Sequence, residues 1–147
     1  LLMVGDEPER PIAEDLARQY GIESDVRFLG KQEQMEDILA VSDLFLLPSE
    51  YESFGLVALE AMASSVAVIS SNAGGLAEIN IDGKTGYTAN VGDVATMSAR
   101  AIELLTNDSK LKVFKHNALE QAKLFDIHHI IPMYENLYRR FCRTGDC

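Results

Sequence analysis

One stretch constrains this chain more than any other: an apolar run stops at a polar turn and restarts as a helix. Leu44 to Leu47 is apolar throughout, Pro48 to Gly55 is polar and turn-rich, and Leu56 to Ala63 has helical composition. A helix that begins just past a buried strand presents unpaired N–H groups and the positive end of its dipole. Two carboxylates, Glu52 and Glu60, flank that helix start with seven residues between them. Part of the span is loop, so the two are about 10 Å apart. The amides of Phe54 to Val57 lie between. A ligand with a hydroxylated ring, a diphosphate and a second hydroxylated ring matches that row. Carboxylates accept from vicinal hydroxyls, and free N–H groups suit phosphate oxygens.

The rest of the chain provides the frame for that stretch. Leu1 to Val4 reads as a buried strand ending at Gly5-Asp6-Glu7-Pro8. A helix with Ile12, Leu16 and Tyr20 at steps of four follows, with Gly21 as its stop. Val26 to Leu29 is a second strand ending at Gly30, and Glu33 to Val41 a short helix with Met35, Ile38 and Leu39 inward. Beyond the central helix come a strand over Val66 to Ser70, a short helix from Gly74-Gly75 to about Asn80, and a minor strand over Tyr87 to Ala89. Asp93 caps a helix expected to bury Val94, Met97, Ala101, Leu104 and Leu105. Two more helices occupy 108–143. The first carries a Leu111, Phe114, Ala118, Ala122, Phe125 stripe, and the second contains Pro132, which should kink it or mark its start. The pair is expected to pack on one face of the sheet. The Tyr134, Tyr138, Phe141 stripe reads as core or as a docking surface.

Strands alternating with helices imply an α/β fold: a Rossmann-like parallel sheet with right-handed crossovers and helices on both faces, one domain over 1–147. Ligands of such sheets bind outside the carboxyl ends of the strands. The loops at Gly5, Gly30-Lys31-Gln32, Glu52 to Gly55 and Gly74-Gly75 all fall there.

Composition removes several function classes. The net charge of −10 argues against a nucleic-acid surface, which needs clustered Lys and Arg. No apolar run approaches the ~18 residues of a membrane span. Cys142 and Cys147 both lie in the last six residues, so they form neither a disulfide framework nor a zinc site, and a cytoplasmic setting is expected. His116, His128 and His129 have no carboxylate or cysteine at ligand spacing, so no metal is expected. The chain starts with Leu rather than Met and is read as a fragment with its upstream part missing.

The Glu52 to Glu60 stretch resembles the signature of retaining GT-B glycosyltransferases of family 4, in which two glutamates stand seven residues apart. Supporting words occur in the family's order: Val4-Gly5-Asp6 with Pro8, Phe28-Leu29-Gly30, Asp43, Pro48-Ser49, Glu60-Ala61-Met62-Ala63, Gly74-Gly75 with Glu78, and Gly83-Lys84-Thr85-Gly86-Tyr87. The resemblance covers nearly the whole chain, and only the family's C-terminal, donor-binding domain. It implies that Glu52 is catalytic and accepts from the donor sugar's hydroxyls. The amides of Phe54, Gly55 and Leu56 would line sugar and diphosphate, with Ser53 and Val57 at the ends of that stretch. Glu60 would hold the ribose, Gly30 and Lys31 would meet the base, and Gly5 would border the diphosphate. The nucleotide sugar would be a substrate, with no cofactor and no metal. Phe28 to Gln32, Asn80 to Tyr87 and Asn90 to Asp93 are similar to the glucosaminyl–malate synthase branch of bacillithiol formation. That branch implies UDP-N-acetylglucosamine as donor and L-malate as acceptor, the latter held by an N-terminal domain.

The chain departs from the family's pattern at Ser65, Ala67 and Ala77, where Gly, Pro and Pro are usual. If position 65 needs a positive φ, Ser costs on the order of 1 kcal/mol there. The family's phosphate-binding Arg and Lys would precede Leu1, so the chain alone is expected to bind nucleotide weakly and to transfer nothing. A non-catalytic nucleotide-binding module and a sugar-nucleotide epimerase-like domain are the alternatives, and self-association is left open.

Overall fold

The computed structural model describes residues 1–6 and 8–142. Glu7 of the first loop lies outside them. So do Cys147, the side chain of Cys142, and the last residue of the expected 108–143 helical segment. The chain forms two compact units, Leu1–Met35 and Glu36–Cys147.

In the first unit, strands β1 (Leu2–Val4) and β2 (Arg27–Gly30) pair in parallel, with helix α1 (Arg10–Gln19) between them in sequence. Pro11 in the first turn of α1 sets its entry. The helix closes on a Schellman pair: Gly21 donates to the Arg18 carbonyl and Ile22 to that of Ala17. The expected burial of the first strand is not found. Leu2, Met3 and Val4 are each about 40% exposed, and Leu1 more so. Among the described residues β1 pairs only with β2. Ile12, Leu16 and Tyr20 keep helical spacing but face solvent, and Ala17 is the buried residue of α1.

Helix α2 (Met35–Ala40) leads into the second unit, whose sheet has the order β3-β4-β5. Strands β3 (Leu44–Leu47), β4 (Ala67–Ser71) and β5 (Gly86–Ala89) are all parallel, so helices cover both faces of β4, which is buried at every residue. Helix α3 (Leu56–Ala63) connects β3 to β4, and the short α4 (Leu76–Ile79) lies between β4 and β5. After β5 come α5 (Val94–Leu105), α6 (Asp108–Lys123) and α7 (Ile127–Cys142). Ala67 and Ile69 of β4 and Tyr87 and Ala89 of β5 form one core cluster with Met97, Leu104, Leu111 and Phe114. The Asp93 and Asn107 side chains accept from the Thr96 and Lys110 amides, capping α5 and α6 where the sequence puts their starts.

Three expectations are corrected. Val94 is 74% exposed because it is the first residue of α5 and nothing packs over that turn; Leu105, also exposed, sits ~100° past the Met97–Leu104 stripe. Helix α7 starts at Ile127 and runs through Pro132, so Pro132 does not mark its start, and the His128 carbonyl is left without its helical donor. Of the last two helices only α6 buries side chains against the sheet: Tyr134, Leu137, Tyr138 and Phe141 on α7 are all exposed, so that stripe is not core.

Beneath the sheet's entry edge, Asn80 is 1% exposed. Its Nδ2 donates to the Val68 carbonyl at 3.2 Å, the Tyr87 carbonyl at 3.0 Å and Ser70 Oγ at 3.0 Å. Its Oδ1 accepts from Thr85 Oγ1 at 2.9 Å. One side chain thus ties β4 to β5 and to the turn before it. The turn after α3 has Ser65 at φ +58°, the left-handed conformation that makes a residue other than glycine costly there.

Candidate functional site at the start of helix α3

The carboxyl end of β3 feeds the loop Pro48 to Phe54, and Gly55 stands at the N-cap of α3 with φ +93°. A Cβ on Gly55 would lie 2.7 Å from Leu76 Cδ2, so glycine is required for both conformation and space. The loop rests on the end of β4. Ser71 Oγ donates to the Ser49 carbonyl at 2.5 Å, and Gly74 and Gly75 lie against the main chain of Glu52, Ser53 and Phe54.

Glu52 is half-buried, and its Oε1 accepts from the Gly55 amide at 3.2 Å. The Ala58 and Leu59 amides donate back to the Gly55 carbonyl. The amides of Leu56 and Val57 have no protein acceptor among the described residues, so they are the unpaired donors at the positive end of this eight-residue helix. The stretch Pro48 to Ala63 holds three carboxylates and no Lys or Arg, which leaves main chain and dipole as its attraction for an anion.

Glu60 is exposed, one turn beyond the exposed Leu56. Glu60 stands four residues after Leu56, so the two share the helix face that carries the helix start. Phe54 turns its ring elsewhere. It meets Phe125 edge-on at 6.2 Å and lines an apolar groove of about 790 Å³ with Leu56, Leu59 and residues of α7. What Phe54 offers at the helix start is therefore main chain.

Within the second unit, then, Ser53, Phe54, Leu56 and Val57 surround the helix start, with Glu52 before it and Glu60 behind. The Gly55 amide is the exception to the expected row of free donors, because the Glu52 carboxylate already engages it. In the first unit Gly5, Gly30 and Lys31 come together where β1 and β2 end. The Gly5 amide donates to the Gly30 carbonyl at 3.0 Å, so it too is engaged, while Lys31 is exposed. Arg10, which the motif reading passed over, lies beside Gly30 and stacks over Phe28 at 5.9 Å, held by Glu14 and Asp6. Its signal in the sequence is the Asp6, Arg10, Glu14 spacing of four. Ser71 was missed as well: its partner is 22 residues away, and no local pattern reports such a contact.

Residues 1–121 match the family model described as glycosyl transferases group 1. The chain is 42% identical over 139 residues to the N-acetyl-alpha-D-glucosaminyl L-malate synthase of Bacillus anthracis, covering 94% of this chain and 36% of that one. Among solved structures it is similar to the sucrose-phosphate synthase of Thermosynechococcus elongatus, with a TM-score of 0.85 at 29% identity over 98% of this chain and 39% of that one. It is also similar to HepE of Anabaena in complex with UDP, with a TM-score of 0.83 at 26% identity over 94% and 40%. The fold is that of the C-terminal, Rossmann-like domain of GT-B glycosyltransferases. The chain spans between about a quarter and two fifths of the length of the relatives it matches. Among the described residues no helix is long and apolar enough to cross a membrane.

Proposed function

We propose, for a chain that belongs to the group 1 glycosyl transferases, that it is the donor-binding part of a retaining transferase. In this reading it holds UDP-N-acetylglucosamine, and the sugar passes to the hydroxyl of L-malate held by a separate domain. The observation that carries the reading is the helix start itself: two unpaired amides, Leu56 and Val57, with a carboxylate on each side. The relative from Bacillus anthracis bears the name of that reaction, and HepE is a neighbour in complex with UDP.

The chemistry follows from the groups present. Diphosphate oxygens accept from the Leu56 and Val57 amides, and the α3 dipole stabilises the charge that grows as the bond from the anomeric carbon to the diphosphate breaks. Fixed dipoles need no reorganisation at that moment, so no metal is invoked. Glu52 has a second carboxylate oxygen beyond the one bonded to Gly55, and that oxygen accepts from the sugar's hydroxyls. Glu60 accepts from the ribose hydroxyls. Both substrates are small and water-soluble, in keeping with a cytoplasmic reaction, and the nucleotide sugar is consumed as a substrate with no further cofactor.

Calorimetry with UDP, UDP-N-acetylglucosamine, ADP and GDP tests this. Uridine compounds are expected to bind more tightly than the others, with the sugar adding to the affinity of UDP. Equal affinity for all three diphosphates would refute the donor assignment. The same chemistry without transfer, a nucleotide-binding module, is the second reading. It is favoured if UDP binds and N-acetylglucosamine adds nothing.

A further inference from the structure

We propose that Gly74 is a positioning residue for Glu52, setting where that carboxylate stands for the donor sugar; the inference rests on the donor reading of Glu52 given above. Gly74 has φ +50°, and a Cβ built on it would lie 1.6 Å from the Glu52 carbonyl oxygen and 2.8 Å from the Glu52 carbonyl carbon. Real Cβ atoms keep 3.0 Å or more from such neighbours. The atom in the way is main chain, so it cannot swing aside as a long side chain would. Adding one methyl group therefore moves the Glu52 backbone by more than an ångström, or moves the loop after β4 by the same amount.

The displacement is selective because of how the site is held. Glu52 lies in the loop, pinned at one end by Ser71 on the Ser49 carbonyl and supported at the other by Gly75, whose Cβ would stand 3.0 Å from the Ser53 carbonyl oxygen. The Leu56 and Val57 amides and Glu60 belong to α3, which is fixed by Ala58, Ala61 and Met62, all fully buried. A push at Gly74 thus falls on the carboxylate that reads the sugar and spares the helix that reads the nucleotide. Hydrogen bonds to a charged group lose most of their strength with an ångström of misplacement.

Isotope-edited NMR titration of the chain with UDP and with UDP-N-acetylglucosamine tests the proposal, the readout being the ratio of the two dissociation constants. In the unaltered chain the sugar nucleotide is expected to bind more tightly. Gly74→Ala should reduce that ratio by about tenfold or bring it to unity, with the affinity for UDP within about twofold. Gly83→Ala is the control, since Gly83 also has a positive φ, +70°, but has no atom within 4 Å of its would-be Cβ. It should share the backbone strain and leave the ratio alone. If Gly74→Ala does not fold, Gly75→Ala replaces it, with a smaller loss in the same direction. In a Glu52→Gln background Gly74→Ala should change the ratio no further. An unchanged ratio in a folded Gly74 or Gly75 variant overturns the proposal, as does an equal loss for both ligands. No sugar contribution in the unaltered chain refutes the donor reading itself, and the proposal falls with it.

Discussion

The Glu52 carboxylate accepts the Gly55 amide at 3.2 Å, closing the loop on the start of α3. The residue assigned to the donor sugar thus also holds the N-cap residue of the helix assigned to the diphosphate. The two carboxylates are expected to separate on substitution. Glu52→Ala should remove the sugar's contribution to binding and cost about 1 kcal/mol of stability, the usual net value of one hydrogen bond. Glu60→Ala should weaken UDP itself and leave stability within about 0.5 kcal/mol, since it is exposed. Calorimetry and urea unfolding of the two variants check both halves; identical binding losses would contradict the assigned division.

Asn80 carries a larger structural load. Its replacement by Ala removes buried hydrogen bonds to the Val68 and Tyr87 carbonyls and to the Ser70 and Thr85 hydroxyls. The expected loss is about 2–4 kcal/mol, from the lost buried hydrogen bonds and lost packing together. Urea denaturation at constant m-value measures it, and a loss below about 1 kcal/mol would show that water replaces the side chain.

At Ser65, with φ +58°, glycine should stabilise the chain. Ser65→Gly relieves left-handed strain of about 1 kcal/mol, in part offset by the greater freedom of glycine when unfolded. The midpoint of denaturation should rise. Ser65→Ala, which keeps the Cβ, should not raise it.

Glu103 gives the fold a pH signature. Hydrogen bonds from Lys110, Arg100 and the Tyr87 hydroxyl lower its carboxyl to about 2 from an ordinary 4.5. A carboxylate depressed in the folded state contributes stability above its unfolded pKa and loses it as pH falls through the folded one. The stability difference between the chain and its Glu103→Gln variant should therefore be full at pH 6 and shrink between about pH 5 and pH 2. A difference constant over that window would separate Glu103 from the effect.

Much of this was legible in the sequence, for reasons that differ by residue. The β3–α3 junction was readable because an apolar run, a turn and a helix follow one another within 20 residues, from Leu44 to Ala63. Asp93 was readable as a cap because capping is local chemistry, and the departure at Ser65 pointed to a turn that does have a positive φ. What periodicity could not supply was neighbours. Leu2, Met3 and Val4 have the composition of a buried strand and are exposed, since burial depends on what lies alongside. Nor could spacing foresee that the Gly5 and Gly55 amides already have partners, the Gly30 carbonyl and the Glu52 carboxylate. The first arises only when separate turns meet, and the second depends on which way the Glu52 side chain turns within its own loop.

The unpaired amides of Leu56 and Val57 also set a clock at the head of α3. With no acceptor among the described residues they should trade hydrogen for deuterium at nearly the rate of an open chain, while Ala58 and Leu59, bonded to the Gly55 carbonyl, should lag. Two fast protons beside two slow ones on consecutive residues would be a direct reading of the helix start, and slowing of the fast pair on adding UDP would time the occupancy of the site.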